Sequence, residues 1–295
     1  MVALLPFFEQ SALYDRFLST RMTTGSVNWD LPHTISAADG GANNPLASNV
    51  GTLYCPTNGV ASTKPRDYTA GSNYRFCLGD NPGGYSGSAN PNDYFLKGWR
   101  GCFGTYRFLN MATITDGTSN TVMFSERAIV TALAASKNVK TVFPTVPNGS
   151  IWNAANAGSS IPSTLASRAA VYNLAVNGEY TATPGADRGA VTGWNYAGSN
   201  LYNSSFTTTM PPNAPGCYMQ DSTWNVLLPP TSFHSGGVQA ALLDASVRFV
   251  SDTVDSGTAD CFPASQMMDG AVTGRSPFGV WGAMGSRDGG EATSL

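Results

Sequence analysis

Residues 232–250 read Ser-Phe-His-Ser-Gly-Gly-Val-Gln-Ala-Ala-Leu-Leu-Asp-Ala-Ser-Val-Arg-Phe-Val, and this stretch decides the fold. Apolar residues alternate with other residues on both sides of a short polar break, which is typical of a β-hairpin with one buried face. The break is Asp-Ala-Ser at 244–246. We therefore predict a strand, a tight turn and a second strand over 238–250. Five side chains should share the buried face: Val238, Ala240, Leu242, Val247 and Phe249.

His234 stands at the open end of this hairpin, and nine residues separate it from Asp244 in the turn. A strand of that length spans roughly 25–30 Å at about 3.3 Å per residue, so the two side chains should not meet. This separation argues against a His–Asp dyad and favours a structural role for His234. The alternative is a general base in a serine hydrolase. Its candidate nucleophiles are Ser119, Ser232 and Ser235, and its candidate carboxylates are Asp116 and Asp252.

Other short motifs accompany the hairpin in a consistent order along the chain. They are Leu4–Gln10, Cys55-Pro56, Thr115–Thr121, Ser125-Glu126-Arg127, Pro211–Asn213, Cys217, Trp281 and Arg287–Glu291. Together they resemble a pseudopilin-like family of exported bacterial proteins of unknown function. That family is similar to type II secretion and type IV pilins, is also described as solute-binding, and carries a His-x9-Asp-Gly signature near its carboxy terminus.

The chain departs from this family pattern at two places. The family's basic leader and long apolar helix are missing before Met1, so the resemblance implies a soluble head without a signal segment. The segment is either removed or naturally missing. Ala245 occupies the position of the family's turn glycine. A type I′ turn needs positive φ at both central residues, which alanine resists, so we expect another turn type or a bulge at Ala245.

The resemblance also implies a location and a role. The location is extracytoplasmic, in the periplasm or at the cell surface. The role is a non-enzymatic head domain for surface assembly or for binding of an extracellular ligand. The full-length form would join a pilus-like or secretion assembly, and the ligand would be an extracellular polymer or a small molecule. The esterase-like hydrolase using His234 stays open as the alternative. A third reading, a solute-binding protein for transport, predicts a deep cleft between two lobes.

Composition narrows the fold class and excludes some functions. Charged residues make up 12% of the 295 residues, beside 32 glycines and 18 prolines, which indicates many turns. Hydrophobic residues make up 42%, enough for a packed core. The net charge of −3 argues against a nucleic-acid partner, because phosphate binding needs basic patches. No apolar run is long enough to span a membrane.

We therefore predict an α+β fold in one domain over 1–295. An amino-terminal helix within 2–22 packs on an antiparallel, pilin-like β-sheet, which carries long loop-rich insertions. A buried strand follows the Asp116 turn, and the 238–250 hairpin closes the sheet. Residues 136–230 are left open as an inserted subdomain.

Five cysteines are spread widely over the sequence: Cys55, Cys77, Cys102, Cys217 and Cys261. None belongs to a Cys-x-x-Cys pair, and there are only two histidines, so ligand spacing argues against a structural zinc site. In an exported family, such cysteines suggest disulfides. We expect Cys77–Cys102 and Cys217–Cys261, which leaves Cys55 as the odd thiol.

Two further sites are candidates from residue type alone. Asp116 and Asp80 lie in Asp/Asn/Gly-rich segments that suit calcium, although the same residues are common in tight turns. Trp194, Tyr196 and Trp224 lie in Gly/Asn-rich contexts and either line a binding face or belong to the core.

Overall fold

The structure is a computed structural model of the whole chain. It describes residues 1–19, 45–59, 70–81, 99–104, 109–129, 137–146, 152–154, 164–182, 204–219, 222–262, 267–268 and 271–291. Within these ranges the protein combines short helices with mostly antiparallel sheets, so the predicted α+β class is confirmed. No helix in the described ranges combines the length and apolar character that crossing a bilayer requires.

The helical elements are short. The α-helices are α1 (Ser11–Ser19), α2 (Arg168–Tyr172) and α3 (Gly279–Gly285). Single 3-10 turns or helices cover Val2–Phe8, Pro45–Ala47, Gly51–Leu53, Pro56–Asn58 and Met111–Thr113.

The strands fall into one larger sheet and several small ones. They are β1 (Tyr74–Cys77), β2 (Val122–Glu126), β3 (Thr145–Val146), β4 (Trp152–Ala154), β5 (Thr164–Ala166), β6 (Ala175–Val176), β7 (Glu179–Tyr180), β8 (Ser205–Phe206), β9 (Cys217–Met219), β10 (Ser222–Leu227), β11 (Gly237–Leu242), β12 (Val247–Ser251), β13 (Met267–Met268) and β14 (Ala271–Val272).

The main sheet has the order β12-β11-β2-β1-β8. All its neighbours are antiparallel except β1 and β8. The predicted buried strand is β2, and the predicted closing hairpin is β11 and β12. A second sheet, β10-β9-β3, comes from residues 145–227, whereas β8 of the same region joins the main sheet. The subdomain over 136–230 stays a prediction.

Ala245 sets the pairing of the closing hairpin. Its backbone N–H donates to the Leu242 carbonyl at 3.0 Å, the Leu242 N–H donates to the Ser246 carbonyl at 2.9 Å, and Ala245 has a φ of 67°. A turn followed by a left-handed residue is the three-residue bulged form of a hairpin loop. The expected departure from a type I′ turn is confirmed, because Ala245 has a positive φ while Leu243 and Asp244 do not.

The bulge also decides which side chains face the core. Val238, Ala240 and Leu242 are fully buried, as predicted. Val247 and Phe249 are 64% and 47% exposed, so their predicted burial is wrong. Val247 pairs with Ala241, and Phe249 pairs with Gln239. The additional loop residue shifts the register by one, and a one-residue shift exchanges the two faces of a strand.

The core below the main sheet is completed by the last described helix. Trp281 and Met284 of α3 pack against the buried residues of β2, β11 and β12. The Trp281 indole N–H donates to the Met210 carbonyl at 2.9 Å, which satisfies its polar atom in a dry environment. Burial of a side chain as large as Trp281 contributes about 2–3 kcal/mol.

The amino-terminal segment forms two pieces. The 3-10 helix Val2–Phe8 ends at Glu9, which has a φ of 61°, and α1 begins at Ser11. Leu5 and Leu13 are buried against Val50, Leu53 and Ala70, which lie just before β1. The helical prediction is therefore confirmed over residues 2–19, with a break at Glu9 and Gln10 that the periodicity did not indicate, while residues 20–22 lie outside the described residues.

All five cysteines are free thiols, so the predicted Cys77–Cys102 and Cys217–Cys261 disulfides are wrong for this structure. Cys77 and Cys102 belong to the apolar core, where the Cys102 Sγ donates to the Val122 carbonyl at 3.4 Å. Burial raises the pKa of Cys102 to about 12 and raises the pKa of Cys77 well above its usual value. Thiols of this kind behave as small apolar side chains rather than as reactive groups.

The strain at Ala245 gives a direct test of the hairpin. Ala245→Gly should stabilise the protein by about 0.5–1 kcal/mol, because glycine adopts a left-handed φ without the Cβ clash. Thermal unfolding measures the change. The control is Ala241→Gly in β11, which should destabilise the protein because Ala241 does not have a positive φ and glycine weakens a strand interior. A lower melting temperature for Ala245→Gly would contradict the bulged turn.

Candidate functional site

Three side chains from distant parts of the sequence meet beside the main sheet. Cys55 lies between two 3-10 turns, Glu126 ends β2, and His234 precedes β11. The His234 Nε2 is 3.0 Å from the Glu126 Oε1 and 3.5 Å from the Cys55 Sγ. All three atoms lie within 4.8 Å of one another. We call this cluster the Cys–Glu–His site.

Glu126 is held by its neighbouring strand. Its Oε2 accepts the backbone N–H of Gln239 at 2.8 Å, and its carbonyl accepts the N–H of Thr231 at 3.0 Å. The residue is only 2% exposed. A buried carboxylate requires hydrogen-bond donors or a cation, because the desolvated charge is otherwise costly. The β11 backbone and the His234 ring meet that requirement.

Asn73 fixes the backbone at Cys55. Its side-chain carbonyl accepts the Cys55 N–H at 2.9 Å, and its amide donates to the Arg127 carbonyl at 2.8 Å and to the Asn58 Oδ1 at 2.9 Å. The Asn58 Oδ1 in turn accepts the Ile129 N–H at 2.8 Å. This polar network joins the Cys55 turn to the residues that follow β2, so the thiol is placed beside Glu126.

The loop that carries His234 is fixed by its own side chains. The Ser232 hydroxyl accepts the His234 N–H at 3.1 Å and donates to the Gly237 carbonyl at 2.6 Å. The Ser232 N–H donates to the Asn213 Oδ1 at 2.9 Å, and the Asn213 amide donates to the Asp252 Oδ1 at 2.7 Å. The ring position is therefore determined by the backbone, while 27% of the His234 side chain stays exposed.

Tyr74 faces the same cluster from β1. It pairs with Glu126 in the antiparallel register, so the two side chains lie on one face of the sheet. Burial raises the pKa of the Tyr74 phenol, and electrostatic interaction with Cys55 and Glu126 raises this pKa further. The Cys–Glu–His site is therefore bordered by an additional hydroxyl.

The geometry limits the chemistry of the site. In a nucleophile–histidine–acid triad, the two ring nitrogens have separate partners, because one takes the proton of the nucleophile and the other donates to the acid. Here the same atom, Nε2, faces both the thiol and the carboxylate. One nitrogen cannot donate to Glu126 and accept a proton from Cys55 together. Instead, one sulfur, one nitrogen and one oxygen atom lie within 4.8 Å of one another.

Among the described residues, the His234 ring contacts none of the serines or aspartates proposed for a hydrolase. Ser119 and Ser235 are exposed, and the Ser232 hydroxyl donates to a backbone carbonyl. Asp252 contacts the Asn213 amide, and Asp244 accepts the N–H and hydroxyl of Ser246 in the hairpin turn. The carboxylate that contacts His234 is instead Glu126.

Asp116 binds backbone near the end of the chain. Its carboxylate accepts the Ser286 hydroxyl at 3.1 Å and the N–H groups of Gly289, Gly290 and Glu291 at 2.7, 2.9 and 3.3 Å. The Arg287 carbonyl accepts the N–H groups of Thr115 and Asp116. These contacts join the 115–121 motif to the Arg287–Glu291 motif.

The other proposed calcium residue, Asp80, is fully buried in an ion pair. Its Oδ2 lies 3.2 Å from the Arg100 Nη1. Burial raises the pKa of Asp80, whereas the Arg100 charge acts in the opposite direction. The calcium site at Asp116 and Asp80 stays a prediction.

The aromatic binding face falls largely outside the described residues. Trp194 and Tyr196 lie in undescribed segments, and Trp224 lies in β10 with its side chain undescribed. Sequence reasoning missed Cys55 and Glu126 as partners of His234. Their positions in the Cys-Pro and Ser-Glu-Arg motifs were the available signal.

Removal of the Asn73 side chain should show how strongly the site depends on its scaffold. We expect Asn73→Ala to destabilise the protein by about 2–4 kcal/mol, because it leaves several buried backbone groups without partners. Asn110→Ala is the matched control. Asn110 is exposed and makes one capping bond to Ala112, so its loss should cost about 1 kcal/mol or less. Equal melting temperatures for the two variants would contradict the role of Asn73.

Comparison with known proteins gives one family. The family model SBP_bac_10, described as "Protein of unknown function (DUF1559)", matches residues 1–257. No curated protein and no solved structure matches the chain. The matched range covers all three residues of the Cys–Glu–His site, together with the Asp116 turn and the closing hairpin. The chain therefore belongs to the DUF1559 (SBP_bac_10) family.

Proposed function

We propose that this protein is a non-enzymatic, extracytoplasmic head domain that functions in assembly at the cell surface. The location rests on the resemblance to exported pseudopilin-like proteins. The observation that carries the role is an exposed apolar row on the outermost strand of the main sheet. Val247 and Phe249 form this row, which we call the β12 surface.

The β12 surface has the properties of a protein contact. β12 ends the main sheet, and an outermost strand offers unpaired backbone groups to a further chain. Val247 and Phe249 project from one face of this strand, and Phe233 is 43% exposed in the loop before β11. Adjacent exposed apolar side chains favour association, because covering them removes apolar area from water. A strand-edge contact of this kind also suits repeated addition of copies.

The alternative functions have less support from the described residues. The short name of the family model, SBP_bac_10, indicates solute binding, so binding of a ligand stays an alternative function. A serine hydrolase would need a hydroxyl in contact with the His234 ring, and the ring contacts recorded in the described ranges are to Glu126 and Cys55. Assembly requires no such arrangement and uses side chains that are already exposed.

Self-association of the chain tests the assembly role. We expect the purified protein to form larger species as its concentration rises in sedimentation velocity. The double variant Val247→Asp, Phe249→Asp should raise the dissociation constant at least about tenfold, because charges replace apolar contacts in a buried interface. Tyr172→Asp, at a similarly exposed aromatic in α2, is the control and should associate as the natural protein does. A protein that stays monomeric at all concentrations would contradict this proposal.

Hydrolysis of a short-chain chromogenic ester tests the enzymatic alternative. We expect no turnover above the buffer rate, and no change in rate for His234→Ala, because no serine hydroxyl of the described residues contacts the ring. Thermal unfolding of the variant checks that it folds. Turnover that is abolished by His234→Ala in a folded protein would replace the assembly role with a hydrolase.

A further inference from the structure

We propose that Cys55, Glu126 and His234 bind a thiophilic divalent metal ion of the zinc class. Cys55 would supply a thiolate, Glu126 a carboxylate oxygen and His234 an imidazole nitrogen. These three ligand types form zinc sites in proteins. The inference does not depend on the assembly role, because metal uptake and self-association are measured separately.

The spacing of the three atoms matches a metal centre. Zinc binds sulfur at about 2.3 Å and nitrogen or oxygen at about 2.0–2.2 Å, so ligand atoms of one tetrahedral site lie about 3.3–3.6 Å apart. The Sγ–Nε2 distance of 3.5 Å and the Nε2–Oε1 distance of 3.0 Å are close to these values. The third pair is within 4.8 Å.

The donor set also selects the class of ion. Calcium and magnesium prefer oxygen ligands, whereas sulfur and imidazole nitrogen suit zinc and its neighbours in the transition series. A thiolate and a carboxylate together carry two negative charges, and a neutral imidazole adds none. A divalent cation would therefore neutralise the site, which matters because Cys55 and Glu126 are both buried.

The surroundings hold the ligands in position, as the outer shell of a metal site must. The Gln239 N–H fixes the Glu126 Oε2 and leaves the Oε1 directed at the cluster. The Thr57 hydroxyl lies 3.0 Å from the Cys55 Sγ, where it can donate to a thiolate. Ser232 fixes the backbone of His234. These contacts lower the cost of organising the site on metal binding.

The number of ligands gives the site an open position. Three protein ligands leave one place in a tetrahedral shell for water or for a group from a bound partner. The partly exposed His234 ring provides access for the ion. The proposed ion would join the Cys55 turn, the end of β2 and the His234 loop at one centre, whereas the hydrogen bonds join these segments only in pairs.

Metal titration of the protein tests the inference. The protein is first treated with a chelator under a non-thiol reductant and then titrated with Zn²⁺ by calorimetry and with Co²⁺ by absorption spectroscopy. We expect one equivalent of each ion to bind, a sulfur-to-cobalt charge-transfer band, and a higher melting temperature with Zn²⁺. If the natural protein binds neither Zn²⁺ nor Co²⁺ stoichiometrically, the inference is overturned, whatever the variants show.

Substitutions then locate the ion. Cys55→Ser, Glu126→Gln and His234→Gln should each weaken Zn²⁺ binding by at least about 100-fold, and Cys55→Ser should also remove the charge-transfer band. Cys261→Ala, which removes a partly exposed thiol elsewhere, is the control and should bind as the natural protein does. Zinc affinity that is unchanged in Cys55→Ser and His234→Gln would place the ion elsewhere and overturn the proposal. If a variant fails to fold, the cobalt spectrum of Cys261→Ala is used instead. A retained sulfur band then assigns the ligand to one of the four buried thiols, of which Cys55 is the one in contact with His234. Loss of the band in Cys261→Ala would overturn the proposal.

Discussion

The buried carboxylate of Glu126 is the contact on which the arrangement of this protein depends. One oxygen accepts the Gln239 N–H of β11, and the other faces the His234 ring. The backbone carbonyl of the same residue holds Thr231, at the start of the loop that carries the histidine. A carboxylate this buried persists only with such partners, because its desolvation is costly. Glu126 therefore forces the closing hairpin, its loop and β2 to take their positions together.

Much of the main sheet could be predicted from local sequence patterns. Alternation identified β11, and the apolar run after the Asp116 turn identified β2. Alternation could not predict which side chains of β12 face the core. That choice depends on the number of residues in the hairpin loop, and Ala245 adds one. The one local indication of that shift was the alanine at the turn position, which predicted another turn type or a bulge. Helix α3 escaped prediction because its small residues and single tryptophan give little periodic signal over seven positions.

The candidate site shows a different limit of sequence reasoning. His234, Glu126 and Cys55 each stood out as parts of separate motifs, but they are 71 and 108 residues apart and no local spacing rule joins them. The search for zinc ligands relied on closely spaced cysteines and found none. The Asn73 network brings the cysteine to the glutamate, and a buried asparagine in a short loop gives no indication of its partners. The predicted disulfides are wrong for a related reason. The number of cysteines and the cellular compartment do not indicate that a thiol packs in an apolar core.

The contacts of Asp116 have a consequence for the order in which the protein is completed during synthesis. Its carboxylate is satisfied by groups from residues 286–291, and Trp281 fills the core beneath the hairpin. A nascent chain that has emerged only through β12 therefore holds an unsatisfied aspartate and an incomplete apolar interior. Translation must therefore deliver residues 281–291 before the earlier strands reach their final stability.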